Sequence, residues 1–226
     1  ADPLLLQVLP TAAEMTEMPG FSCDPVGDRA AIHASGLLKK YSGRALLLVA
    51  RTCAVHCRYC FRRHFPDRSG AGLEGNIRMD SPVDPYRGHA RFHPRQSGLF
   101  LQPALETIAA DPSIHEIILS GGDPLTAFDS ILADLVGRLA GIKHIQRLRI
   151  HTRLPIMIPE RITGSLISWL TGSRLVPIVV VHVNHAQEMD APVAAALGRL
   201  VDAGVPVLNQ AVLLANVNDS VSAQQA

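Results

Sequence analysis

The sequence predicts an α/β protein built on a parallel sheet. Five short apolar runs rich in β-branched residues recur along the chain, helical patterns lie between the later ones, and the chemically unusual residues fall just after the runs. The runs are 44–50, 116–120, 147–152, 178–183 and 205–214. Each reads as a buried strand, because a strand covered on both faces needs no polar alternation. Ile131, Leu132, Leu135, Val136 and Leu139 share one face of a helix at the i, i+4 spacing that stacks side chains. Asp190 is placed to cap a second helix whose Val193, Leu197, Leu200 and Val201 face inward and which Gly204 ends. Strand, helix, strand at this spacing implies parallel pairing with right-handed crossovers, hence an α/β sheet or an incomplete α/β barrel.

A chain of 226 residues can bury one sizeable core, and 47% hydrophobic with 18% charged residues places it among globular proteins. No apolar run approaches the ~18 residues of a membrane span. A formal charge of +1 gives no reason to expect nucleic acid or an anionic membrane as partner. The sequence opens at Ala1 without an initiator methionine or a basic-then-apolar leader, so a piece of a longer protein is expected. Residues 1–43 form an N-terminal segment leading into the sheet, and 44–226 form the sheet and its helices. An insertion at 66–98, rich in Gly, Pro, Arg, Asp and His and without apolar periodicity, reads as a long loop, either a solvated surface or a substrate lid.

In a parallel α/β sheet or barrel, chemistry collects where the strands end. Three cysteines follow the first run, Gly121, Gly122 and Asp123 follow the second, His151 ends the third, His182 the fourth, and Asn209 with Gln210 interrupts the fifth. Cys53, Cys57 and Cys60 form a CxxxCxxC loop. Thiols this close seldom meet disulfide geometry, and such clusters more often bind metal in a reducing compartment, here read as the cytoplasm. Three thiolates can each hold one iron of a [4Fe-4S] cubane and leave the fourth iron without a protein ligand. That open corner can chelate S-adenosylmethionine (SAM) and pass it an electron. The rival is structural zinc completed by His56 or His64, but zinc sites usually pair two CxxC knuckles and no second pair exists here. Cys23 stands alone and reads as a packed small hydrophobe with no role.

The stretch RTCAVHCRYCFRRHF at 51–65 resembles the cluster loop of the lysine 2,3-aminomutase family of radical SAM enzymes, most of all its elongation factor P-associated, β-lysine-forming branch. The likeness continues, in order, through LSGGDPL at 119–125, RLRIHTRLP at 147–155, VHVNH at 181–185, LNQAVLL at 208–214 and VND at 217–219. The resemblance implies a partial (β/α)6 TIM-like barrel, truncated here after about five strands. It implies Arg62, Gly121, Gly122, Asp123, His182 and Gln210 around SAM, and Lys40, Tyr41 and Arg44 around pyridoxal phosphate (PLP). Glycine at 121 and 122 would let backbone approach SAM where a side chain would obstruct it. Read without the family, His182 is a satisfied strand-end histidine, and Lys39 with Lys40 a solvated turn before a strand. The implied activity is radical isomerisation of L-lysine to β-lysine with an electron donor as partner; a homo-oligomer is left open.

The family forms its PLP imine with a lysine placed after the barrel strands. This chain has only Lys39, Lys40 and Lys143, none at that position, so the chain as given is not expected to complete the aminomutase reaction. Two alternatives remain at the level of sequence: the same chemistry on another amino acid such as glutamate, and a non-catalytic zinc-binding module.

Overall fold

A computed structural model describes residues 2–50, 52–64 and 101–225. The 66–98 insertion and Arg51 lie outside them. A seven-stranded sheet organises the chain: β1 Ile32–Ala34, β2 Leu37–Tyr41, β3 Arg44–Ala50, β4 Glu116–Gly121, β5 Arg147–Thr152, β6 Val176–Val181 and β7 Val207–Asn209, side by side in that order. β1, β2 and β3 pair antiparallel, and β3 to β7 are all parallel. The helices are α1 Gln102–Ala110, α2 Asp129–Gly141, α3 Leu154–Met157, α4 Gly164–Thr171, α5 Ala191–Asp202 and α6 Val221–Gln225.

The α/β class holds, and the sheet is open rather than closed into a barrel. Its strands number seven against the predicted five. The two additional strands make a hairpin within the segment read only as leading into the sheet. Lys39 and Lys40 therefore lie in β2, not in a solvated turn. Their polarity hides the strand, and tertiary partners compensate for it: Lys39 reaches Asp111 and Ser113, while Lys40 reaches Asp28 and the Val26 carbonyl. The turn into β3 uses Gly43 at φ 79°, a left-handed conformation glycine adopts without strain. β7 is shorter than the 205–214 run, ending at Asn209.

Register explains the apolar runs. Ala45, Leu47 and Val49 of β3, Ile117 and Leu119 of β4, Leu148 and Ile150 of β5, and Val179 and Val181 of β6 all enter one core with the helices. The α2 residues Ile131, Leu132, Leu135, Val136 and Leu139 are buried there as the spacing requires. In α5, Asp190 caps through Val193 N at 2.9 Å, and Val193, Ala196 and Leu200 are buried, but Val201 is 58% exposed. Its inward assignment fails because position 201 lies one step, ~100° of helical rotation, beyond the buried Leu200. The opposite sheet face carries Leu46, Leu48, Ile118, Arg149, His151 and Ile178, all only half-buried.

Leu132, wholly buried between α2 and the sheet, tests this core. Leu132→Ala is expected to lower unfolding free energy by about 2–5 kcal/mol, the cost of a cavity that rigid strands cannot fill, as read from urea unfolding curves.

Candidate functional site

Because β3 to β7 run parallel, Ala50, Gly121, Thr152, Val181 and Asn209 end on one edge of the sheet. The loops that follow bring together residues far apart in sequence. The thiol loop leaves β3 and is tied down at once: Gly122 N donates to Ala50 O at 2.7 Å and Asp123 N to Thr52 O at 2.8 Å. Gly121, at φ 117°, lies so close that a Cβ would run into the Ala50 carbonyl oxygen. The glycine run predicted for close backbone approach is thus used first by the protein on itself.

Asp123 is buried, and its carboxylate accepts from Leu125 N (3.0 Å), Thr152 Oγ1 (2.6 Å), Arg153 N (2.7 Å) and Leu154 N (2.9 Å). It therefore joins the loop after β4 to the loop after β5. Its four hydrogen bonds shape both loops.

Arg153 then becomes the hub. Its Nη1 donates to Cys57 Sγ at 3.0 Å and to Tyr59 OH at 2.8 Å; its Nη2 donates to Gln7 Oε1 at 2.7 Å and pairs with Glu188 Oε2 at 2.9 Å. Asn184 Nδ2 donates to the same Gln7 oxygen at 2.9 Å and to Tyr59 OH at 2.6 Å, and Gln7 Nε2 donates to Glu188 Oε1 at 2.9 Å. The N-terminal turn reinforces this. Glu14 binds Arg58 at 2.5 Å and Arg63 at 3.0 Å, and these two guanidinium groups hold its carboxyl down to about 2.

All four cysteines are free. Cys53 and Cys57 are half-buried, Cys60 is exposed, and Cys23 is exposed rather than packed. Burial pushes the Cys53 thiol up to about 11, with Asp123, Cys60 and Cys57 adding repulsion. The three thiols thus share one electrostatic neighbourhood. Among the described residues, no three His, Cys, Asp or Glu side chains are gathered closely enough to hold a metal ion. Three free thiols on one loop at the chemical edge match a cubane corner in donor type and number. His56 and His64, the zinc alternatives, are both exposed.

Arg62 is half-buried, with Nε on Asp28 at 3.2 Å and Nη1 on Ser120 Oγ at 2.9 Å. His182 lies with its ring 6.4 Å from that of His151, edge to face. Burial, then His182, Arg149 and Arg62, push His151 down to about 4 against a hydrogen bond to Gln210 that raises it; its Nε2 is buried without a partner. Burial and Arg153 likewise lower His182. Arg62, His151, His182 and Gln210 therefore form one group beside the thiol loop, and its two imidazoles are neutral near pH 7. His151 was placed at the edge by sequence but given no role.

Tyr41 and Arg44 do not join this group, whereas Lys40 meets its margin by sharing Asp28 with Arg62. Tyr41 and Arg44 flank the β2–β3 turn, with the guanidinium 5.6 Å from the ring centroid. That turn lies at the start of β3, roughly 20 Å from the thiol end at ~3.3 Å per residue. Lys40 is engaged by Asp28, and Lys143 is exposed before β5. Lys39 and Lys40 lie in β2 and Lys143 precedes β5, and none of the three is assigned a PLP imine.

Sequence reasoning missed Gln7, Tyr59, Arg153, Asn184 and Glu188 as a unit. Arg153 and Asn184 lie inside motif-bearing segments, but Gln7 and Glu188 are 181 positions apart, and nothing local couples them.

The described chain is therefore an open-sheet α/β protein with a three-thiol loop at the strand C-termini. No protein-family model matches it. It is similar over 219 residues, 97% of its length, to the L-lysine 2,3-aminomutase of Escherichia coli strain K12, at 46% identity. The enzyme of the same name from Haemophilus influenzae is 42% identical over 96% of the chain, and that of Clostridium subterminale 32% over 97%. Over this stretch the chain is similar to enzymes of the lysine 2,3-aminomutase family. It spans 57% of the length of the first two of these relatives and 47% of the third.

Two outcomes test the site's physics. Gly121→Ala should destabilise by at least about 1–3 kcal/mol, because left-handed strain adds to the collision with Ala50 O. Gly204→Ala, at φ 79° with open space around it, should show strain alone in the same urea assay. The second concerns pH. His151 has a folded pKa of about 4 against 6.5 unfolded, so the unfolded state binds more protons between those values. Its neutral burial costs nothing above about pH 6.5, and the folded state loses up to about 3 kcal/mol relative to the unfolded as pH falls to 4. His151→Asn should flatten that part of the stability–pH curve.

Proposed function

We propose that this chain is the radical-generating part of an L-lysine 2,3-aminomutase, with Cys53, Cys57 and Cys60 as ligands of a [4Fe-4S] cluster. The observation that carries the reading is the similarity over nearly the whole chain to enzymes of that name, coinciding with three free thiols at the strand C-termini. A [4Fe-4S] cluster held by Cys53, Cys57 and Cys60 would supply one-electron reductive cleavage of SAM, the chemistry that starts hydrogen abstraction from an amino-acid side chain.

The chain's residues do the positioning. Cys53, Cys57 and Cys60 offer thiolates from a loop that Gly122 and Asp123 anchor to Ala50 and Thr52. Arg62 offers a half-buried cation suited to a carboxylate. Neutral His151 and His182, with Gln210, offer hydrogen-bonding groups suited to a ribose or adenine edge without adding positive charge beside a sulfonium. Gly121 keeps the strand end bare. L-lysine as substrate, β-lysine as product and its use on elongation factor P belong to the same proposal. No step through PLP is assigned to Lys40, Tyr41 or Arg44.

Anaerobic reconstitution of the chain with iron and sulfide tests the core of this reading. We expect about four iron and four sulfide per chain, broad visible absorption, and release of methionine and 5′-deoxyadenosine from SAM with dithionite. Replacing Cys53, Cys57 and Cys60 together by serine should abolish all of these. Stoichiometric zinc in place of iron, or iron and sulfide unchanged in the triple variant, would refute it.

A further inference from the structure

Arg153 is the one arginine among the described residues whose guanidinium meets a thiol of the CxxxCxxC loop. It is 8% exposed, its Nη1 divides between Cys57 Sγ and Tyr59 OH, and its Nη2 is fixed by Gln7 and Glu188. Its backbone is held in turn by Asp123. This is a preorganised cation aimed at one sulfur, held from four separate parts of the chain: the N-terminal turn and the loops after β3, β4 and β6. It differs from Arg58 and Arg63, which are spent on Glu14 near the surface.

We infer that Arg153 is a positioning residue that fixes Cys57 and sets the reduction potential of the cluster this loop holds. The inference rests on the cluster reading above. Reduction adds one electron, taken from a low-potential one-electron reductant, and no bond forms or breaks. The reduced group carries one more negative charge. A buried guanidinium donating to a ligating sulfur stabilises that state more than the oxidised one, because charge-assisted hydrogen bonds strengthen with the charge on the acceptor and low-dielectric surroundings screen them little. Tyr59 and Asn184 hold the rest of the loop, and Glu188 keeps the arginine fixed without touching the thiol.

Redox titration of the reconstituted chain with dithionite, followed by electron paramagnetic resonance, tests this with iron and sulfide content measured in parallel. Arg153→Gln is expected to make reduction about tenfold less favourable, a fall of about 59 mV for a one-electron couple. Arg153→Lys keeps the charge and loses the two-pronged grip, so it should stay within about threefold of the parent while losing iron faster to a chelator. Because Arg153→Gln alone leaves Glu188 buried and unpaired, the double variant Arg153→Gln with Glu188→Gln supplies a neutral pocket and should shift in the same direction. A full cluster with parental potential in the glutamine variants, or low iron content with parental potential, would reduce Arg153 to a structural residue and overturn the inference. Absence of iron and sulfide from the parent chain itself would instead remove the cluster reading, and this inference with it.

Discussion

A buried carboxylate at the end of the sheet is the constraint on which the site depends. Parallel strands that stop on one edge leave loop amides with no ladder to join, and buried amides without partners are costly. Asp123 answers by accepting four hydrogen bonds from the turn it begins and from the start of the β5 loop. Two of its donors are the backbone N–H groups of Arg153 and Leu154, so the carboxylate sets where the Arg153 side chain departs. That side chain in turn fixes Cys57, Tyr59 and Glu188. A chain of short, charge-assisted contacts thus transmits the geometry of the rigid sheet to a loop that has little regular structure of its own.

The sheet's two faces divide the remaining labour. One face carries Leu47, Leu119, Ile150 and Val179 into the helix-covered core and supplies the rigidity. The other carries the half-buried Arg149 and His151 beside the buried Glu116, which accounts for the electrostatics there. Arg149 meets Glu116 across neighbouring strands at 2.5 Å. His151, lacking such a counter-charge, answers burial by staying neutral, since removing an imidazolium from water costs more than giving up its proton.

How much of this is legible in the sequence depends on the range of the interaction. The four apolar runs that become β3 to β6, and the α2 face, follow from side-chain periodicity, which is local. The thiol loop, Gly121, Gly122 and Asp123 are legible too, because residue type and position after a strand suffice to mark them. The β1–β2 hairpin is not, since Lys39 and Lys40 are poor strand residues until Asp111, Ser113 and Asp28 meet them from distant segments. Gln7 and Glu188 are illegible for the same reason: an uncharged amide near the N-terminus and a glutamate in a short turn carry no mark of mutual burial.

Arg62 and Arg153 show how two similar side chains beside one loop acquire different uses. Arg153 is surrounded by groups that have no other cation to turn to: Glu188 is buried, and Gln7 is held in place by Asn184. Moving it would strand a charge, so it is fixed, and a fixed cation can tune a neighbour but cannot be handed to a ligand. Arg62 shares Asp28 with Lys40, whose ammonium lies 3.0 Å from the other carboxylate oxygen. If Arg62 turned toward a different carboxylate, Asp28 would keep a counter-ion and only the 2.9 Å contact with Ser120 would be given up. Exchange of one carboxylate partner for another is nearly neutral in charge–charge energy, whereas abandoning a buried partner is not. Of these two arginines, Arg62 is therefore the one whose present partner is doubly served.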